Sequence, residues 1–591
     1  MSATPTPTNQ NPSGSQPAER TDEDLIMNKG PGGIHPGVFW PSLIVLAIAC
    51  VFTIGFPEAS DKALGAIQDN IVGGFGWYYV VVVAVFVAFA LWMGLSRFGD
   101  IKLGQDEEEP EFGIFSWFSM LFAAGMGIGL VFWGAAEPLT FFATDIKPGM
   151  TGEGPELAQK AMAQVFLHWG FHAWAIYVVV GLALAYAIHR KGRPASIRWA
   201  LEPIFGDRVR GWVGDVIDTI AVVGTVAGIA TSLGLGVQQI SSGLVHLGLF
   251  DEVSDSLLVG AIVVITILAT ASVVSGVGRG IRWLSNTNLV LAAVFLLALL
   301  LLGPTLFLLR EWIQSIGVYF QNVLPMTFST NAFSGEAGQA WQGAWTTFYW
   351  GWWISWAPFV GVFIARISRG RTVREFVAGV LLVPTTVTFL WFSVLGGSAF
   401  YREIFGEGGL VGTDEDGNPA LAAEQVLFDL VEGLPAGGLL AGIAIVLVTI
   451  FFITSSDSGS LVVDMLASGG DPEPPTWSRV LWAGIEGVVA IGLLLAGGLG
   501  ALQTGAIITA LPFSLIMVAM CWATYKALSG EHTAMVRAAR RQAREEMARD
   551  VSTEVTEELT GNFDEHFGEP VEKNVEKHVG RHLKKLSERN R

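Results

Sequence analysis

The sequence predicts an all-α integral membrane protein with about twelve transmembrane helices. Hydrophobic residues make up 51% of its 591 residues and charged residues only 15%, against about 25% charged in soluble domains. Mean hydropathy is +0.50. Apolar runs of bilayer-spanning length recur, and basic residues concentrate in every second loop between them. The net charge of −18 argues against a nucleic-acid partner. Cys50 and Cys521 both lie in apolar runs, so no disulfide framework or cysteine metal site is implied.

Residues 1–37 form a polar, acidic, Pro/Ser/Thr-rich tail that reads as disordered and carries no cleavable signal peptide. Apolar runs then fall near 38–56, 77–97, 115–134, 163–189, 212–245, 257–276, 286–309, 340–365, 375–400, 437–466, 478–498 and 503–528. Residues 38–530 are therefore read as a transmembrane domain. Alternate loops hold Arg97 and Lys102; Arg190, Lys191, Arg193, Arg198, Arg208 and Arg210; Arg279 and Arg282; Arg366, Arg369, Arg371 and Arg374; and Arg479. The loop from Tyr401 to Pro435 is instead acidic, with Asp414, Glu415 and Asp416. This alternation places both termini in the cytoplasm.

Between the seventh and eighth runs, Arg310–Val323 is amphipathic and suits the outer membrane interface. Residues 531–591 read as a helical cytoplasmic tail with a regulatory role open to it. Arg537, Arg540, Arg541 and Arg544 fall at helical spacing there, which fits either contact with anionic membrane lipids or a plain solvated helix.

The third run holds Ala123-Ala124-Gly125-Met126-Gly127-Ile128-Gly129. Glycine at alternate positions costs a helix interior about 1 kcal/mol each relative to alanine. The stretch reads either as close helix packing or as an interrupted helix, the usual mark of a transporter's central site. In the fourth run, Trp169, Trp174 and Tyr177 would cover one broad face of one helix. The eighth run adds Trp350, Trp352, Trp353 and Trp356, with Pro358 to bend it. Converging aromatic faces hold a cation that offers no N–H donors, at about 0.5–2 kcal/mol per contact.

In the tenth run, the hydroxyls of Thr454 and Ser455 either bond back to their own helix or help coordinate a hard cation. Carbonyls of Ala123, Met126 and Phe451 would complete a five-oxygen sodium site. Asp457 is functional by default inside a membrane, unless it sits solvated or capping at the cytoplasmic helix end. His168 and His172 have metal-like spacing but no Glu or Cys follows, so they read as packing histidines. A hydrolase reading of Ser455, Asp457 and Ser458 fails for want of a Gly-x-Ser-x-Gly elbow, and no enzyme is expected.

These motifs, with Glu137-Pro138, Tyr349 through Phe359 and Arg366-Ile367-Ser368-Arg369-Gly370-Arg371, resemble the betaine/choline/carnitine transporter family from about residue 38 to 530. Within it, the chain looks most like the sodium-coupled glycine betaine carriers of Gram-positive bacteria. The resemblance implies a LeuT-like 5+5 inverted repeat, about 115–309 and 340–528, preceded by two extra helices. It also implies a homotrimer, with the Arg310–Val323 helix at the interface. The implied aromatic box is Trp169, Trp174, Tyr177 and Trp353, with Trp352 and Trp356 on the substrate path. Backbone at Gly125, Gly127 and Gly129 would meet a zwitterion's carboxylate.

The resemblance further implies sodium at Ala123, Met126, Phe451, Thr454 and Ser455, as coupling ion and with no organic cofactor. A second sodium site would use Thr225, Tyr177 and Phe359, but its second threonine is here Ile229, which has no oxygen to give. Choline carriers of the family place an aspartate where this chain has Gly129. The implied function is sodium-coupled import of a zwitterionic compatible solute for osmoprotection, glycine betaine before ectoine, proline or carnitine. A membrane solute sensor is the alternative of another class.

Overall fold

Proline and glycine set the element boundaries in the computed structural model, which describes residues 33–125, 127–275, 280–563 and 568–589. Helices α1 (Pro36–Gly55) and α2 (Pro57–Leu95) both open on a proline, whose missing N–H costs nothing in a first turn. The third run divides into α3 (Ile114–Gly125) and α4 (Ile128–Leu139), with Gly127 extended between them at φ −141° and ψ −177°. The glycine stretch is thus an interruption, as one of its two readings required. Met126 lies outside the described residues.

The fourth run is not one helix. It forms α5 (Pro155–Trp169) and α6 (Phe171–Ala185), which meet at Gly170 (φ −96°, ψ −133°). A Cβ on Gly170 would stand 2.5 Å from the Phe166 carbonyl oxygen and 2.7 Å from the Phe389 ring, so only glycine allows this bend. The single aromatic face expected for Trp169, Trp174 and Tyr177 is therefore corrected to rings carried on two helices.

Next come α7 (Trp212–His246), α8 (Asp255–Ser275), α9 (Gly280–Leu302) and α10 (Thr305–Thr327). Gly303-Pro304 ends the seventh span at Leu302, earlier than the apolar run to 309 implied, and the amphipathic helix starts at Thr305. A short helix (Gly335–Gln342) and one wide π turn (Gly343–Thr347) lead into α11 (Phe348–Arg366). Helix α12 (Val373–Phe405) starts on a capping box: Glu375 N–H donates to Thr372 Oγ1 at 3.2 Å and Thr372 N–H to Glu375 Oε2 at 3.0 Å. The acidic loop carries a two-stranded antiparallel hairpin, β1 (Gly412–Thr413) with β2 (Pro419–Ala420), Gly412 opposite Ala420.

Helix α13 (Gly437–Ala467) precedes α14 (Thr476–Phe563), which is interrupted at Gly497 and Gly498, the latter at φ +59°. Among the described residues nine helices are long and apolar enough to cross a membrane, and the last of them contains two predicted spans on either side of that interruption. With the broken third run and α11, they account for the spans read from the sequence. Two compact units result, residues 1–526 and 527–591. The second comprises the exposed end of α14 and α15 (Glu569–Arg589), where Arg541 pairs with Glu545 at 2.8 Å. That pairing is the usual i,i+4 contact of an exposed helix face and is compatible with both readings of the tail arginines.

In the first unit α11 packs most extensively on α6 and α7 on α13, so four helices surround the middle of the unit. The basic loops converge at one end. Arg369 pairs with Glu108 (2.5 Å), Arg190 with Asp106 (2.6 Å) and Arg193 with Glu202 (2.7 Å). The N–H of Gln105 and the Arg369 guanidinium hold the Glu108 carboxyl below the usual carboxylate range.

Candidate functional site

A narrow cavity lies where α4, α5, α6, α7, α11 and α12 meet. It is lined by Gly127, Gly129, Trp169, Trp174, Tyr177, Trp352, Trp353 and Trp356, together with Leu130, Ala173, Ser232 and Thr388. Every substrate-contact residue expected from the sequence is thus in this one wall except Gly125, which ends α3.

The rings are arranged at right angles rather than in one sheet. Trp352 and Trp353 stack at 4.7 Å and 13°; Trp169 stands across Trp353 at 4.9 Å and 69°. Tyr177 meets Trp174 edge-on at 5.4 Å and Trp353 at 6.4 Å. Rings set at different angles therefore reach the cavity together, and any face turned into it would present a negative quadrupole. Against these rings stands the N-terminus of α4, the positive end of the helix dipole.

A buried carboxylate holds the rings. Glu137 of α4, with no exposure, accepts from Trp169 Nε1 (2.6 Å), Tyr349 OH (2.6 Å) and His168 Nδ1 (2.8 Å). With its proton on Nδ1, His168 uses Nε2 to accept from Gln164 (3.0 Å) and Thr346 (3.1 Å). Trp353 Nε1 donates to the His168 carbonyl at 2.9 Å, and His172 bonds Thr327 at 2.8 Å. Both histidines therefore pack helices, as their sequence context suggested. Glu137 entered the sequence reading only as a motif residue, since its partners lie far along the chain.

Below Trp356 a second cavity is lined by Phe359, Phe363, Phe451, Thr454, Ser455 and Ser458, with Ser119 and Met120 of α3 across from them. A third shares Phe359, Phe363 and Ser458 with it and ends at Arg193, Arg366 and Arg369. The three spaces line up from the aromatic rings to the basic end of the unit. Thr454 is back-bonded, donating to Ile450 O (2.9 Å) and Phe451 O (3.2 Å), so its oxygen keeps lone pairs but the Phe451 carbonyl is already engaged.

Asp457 sits well inside α13, not at its end. It is buried and accepts from Ser272 at 2.8 Å, which corrects the capping role considered for it. Thr225 is buried and donates to Ala221 O at 2.7 Å; it lines none of these cavities, whereas Phe359 lines two. Ile229 packs its side chain against Gly459.

The model for the betaine/carnitine/choline family of transporters matches residues 37–533. An uncharacterised transporter of Mycobacterium tuberculosis is 49% identical, over 88% of this chain and 86% of its own. The glycine betaine transporter OpuD of Bacillus subtilis is 44% identical, over 85% and 96%. An osmo-independent choline transporter of Acinetobacter baylyi is 39% identical, over 84% and 94%.

Proposed function

The chain belongs to the betaine/carnitine/choline family of transporters, and from that premise we propose that it imports a zwitterionic quaternary ammonium solute, glycine betaine, together with sodium. It is a multi-pass membrane transporter and not an enzyme. One observation carries the choice of solute: the N-terminus of α4 and a ring of aromatic faces open on the same cavity. The rings suit a trimethylammonium group; Gly127, Gly129 and the helix N-terminus suit a carboxylate a few ångströms away. Among the described residues no carboxylate side chain lines the cavity to balance an uncompensated cation such as choline.

The second cavity supports sodium coupling through Thr454 and Ser455, two hydroxyl residues that line it. Ile229 supports a coupling scheme without the second hydroxyl site, since its side chain is apolar and packed. The line of cavities toward the basic end reads as the inward-facing stage of alternating access, with that end cytoplasmic. On the other side, the Glu137 network and the Trp341 and Trp345 N–H bonds to Asp145 close the path. The same family premise extends to a homotrimer: Leu306, Ile313, Phe320 and Leu324 of α10 are exposed apolar residues available to an interface.

Radiolabelled betaine uptake into proteoliposomes tests the proposal. Accumulation above the outside level should need an inward sodium gradient. Equal accumulation on a proton gradient without sodium, or preference for choline over betaine, would refute it.

A further inference from the structure

We propose that Glu486, Ser456 and Ser460 form a binding site for a monovalent alkali cation, separate from the Thr454–Ser455 pair. Glu486 lies on α14 before the interruption at Gly497 and has no exposure. Its Oε2 lies 2.9 Å from Ser460 Oγ, whose proton is shared with the Ser456 carbonyl at 2.7 Å, and accepts from Ser456 Oγ at 3.3 Å, both on α13. Its Oε1 is buried and has no hydrogen-bond donor among the described residues. Among the described residues no lysine, arginine or histidine forms an ion pair with it.

The direction of the free oxygen is informative. The position of a Cβ on Gly459 lies 3.9 Å from Glu486 Oε1 and 2.3 Å from Ile229 Cδ1, so this oxygen faces the α13 surface at the glycine that Ile229 covers. Ile229 of α7 packs against that same glycine and supplies methyl groups, not a donor. A carboxylate at membrane depth with an open oxygen and no counter-charge is costly, and such groups mark ion pathways. One carboxylate and two hydroxyls are oxygen donors of the kind a hard cation takes. Ser456 and Ser460 are four residues apart, on one face of α13 turned to α14, while Thr454 and Ser455 line the second cavity. Asp457, next in the chain to Ser456, lines the cavity that ends at the basic face and gives a cation an approach.

The competing account is a neutral carboxylic acid acting as interhelical glue. Glutamine would replace that role well, because its carbonyl still accepts from both serines and its amide fills the open side with a donor. The substitution Glu486→Gln therefore separates the two.

Equilibrium binding of radioactive sodium, and of rubidium as the potassium analogue, is measured on the full-length transporter in detergent with no solute present. It does not depend on the betaine reading, and loss of betaine uptake would leave it intact. We expect Glu486→Gln to bind one fewer alkali ion per chain than wild type while melting at a similar temperature. Glu486→Asp and Ser460→Ala should keep the ion with several-fold weaker affinity, which preserves the test if the glutamine variant misfolds. Thr454→Ala should leave the Glu486-dependent ion in place. Unchanged sodium and rubidium binding in Glu486→Gln would overturn the site, as would a Glu486-dependent proton effect with no change in bound alkali ion.

Discussion

Gly129 packs against the edge of the Trp352 ring: a Cβ added to the glycine would stand 2.5 Å from Trp352 Cη2. The same Cβ would come within 2.9 Å of Trp169 Cη2. Two rings of the cavity wall therefore close onto the backbone at the start of α4, and the absence of a side chain is what lets them.

Gly129→Ala should consequently displace Trp352 or Trp169 and weaken betaine binding by about tenfold or more, because even a methyl group is felt in packed interiors. Gly127→Ala should be mild, since its Cβ would meet Trp356 at an ordinary 3.7 Å. Tryptophan-fluorescence titration with betaine checks the pair. Equal effects of the two substitutions would show that backbone conformation, not the rings, governs this stretch.

Glu137→Gln should loosen the cavity without touching solute. The carboxylate accepts three hydrogen bonds from Trp169, Tyr349 and His168, and an amide can accept at only one of its two heteroatoms. Leaving buried donors unpaired costs about 1–3 kcal/mol each, so affinity should fall about tenfold or more and thermal stability should drop. Trp169→Phe, which removes the N–H but keeps a ring, should lose less stability than Glu137→Gln.

The neutral carbon isostere of betaine, with a tert-butyl group in place of trimethylammonium, should bind more weakly to wild type. At about 0.5–2 kcal/mol per ring, two or three facing rings predict a loss of about fivefold to about ten-thousandfold. Competition against labelled betaine measures it. Trp353→Leu should narrow that gap, because the attraction it removes acts on charge; an unchanged gap would mean that ring does not sense the cation.

Thr454→Ala and Ser455→Ala should raise the sodium concentration needed for half-maximal uptake by several-fold, with betaine affinity near wild type at saturating sodium. In this structure Thr454 donates its proton to Ile450 and Phe451, so only its lone pairs serve an ion, while Ser455 faces the second cavity. Sodium-dependence curves of uptake decide it, and a wild-type curve in both variants would remove the pair from coupling.

Span positions were legible in the sequence because membrane insertion is a local property. A run of about twenty apolar residues spans a bilayer whatever its neighbours are. The helix break at Gly127 was legible for the same reason, as were the cavity's aromatic residues, which fall in two short stretches. Sequence alone determined the membrane fold class, the family, and which rings and glycines to examine. Tertiary structure alone decided how they meet. Gly170 turns one expected face into two helices because Phe389, on a distant helix, packs against it. Glu137 becomes the anchor of the rings through partners 31, 32 and 212 positions away. The role of Gly129 rests on Trp352, and the isolation of Glu486 rests on Ile229 and Gly459. In each case the deciding contact joins side chains that chain order does not place together, and only packing brings them within hydrogen-bonding or van der Waals reach.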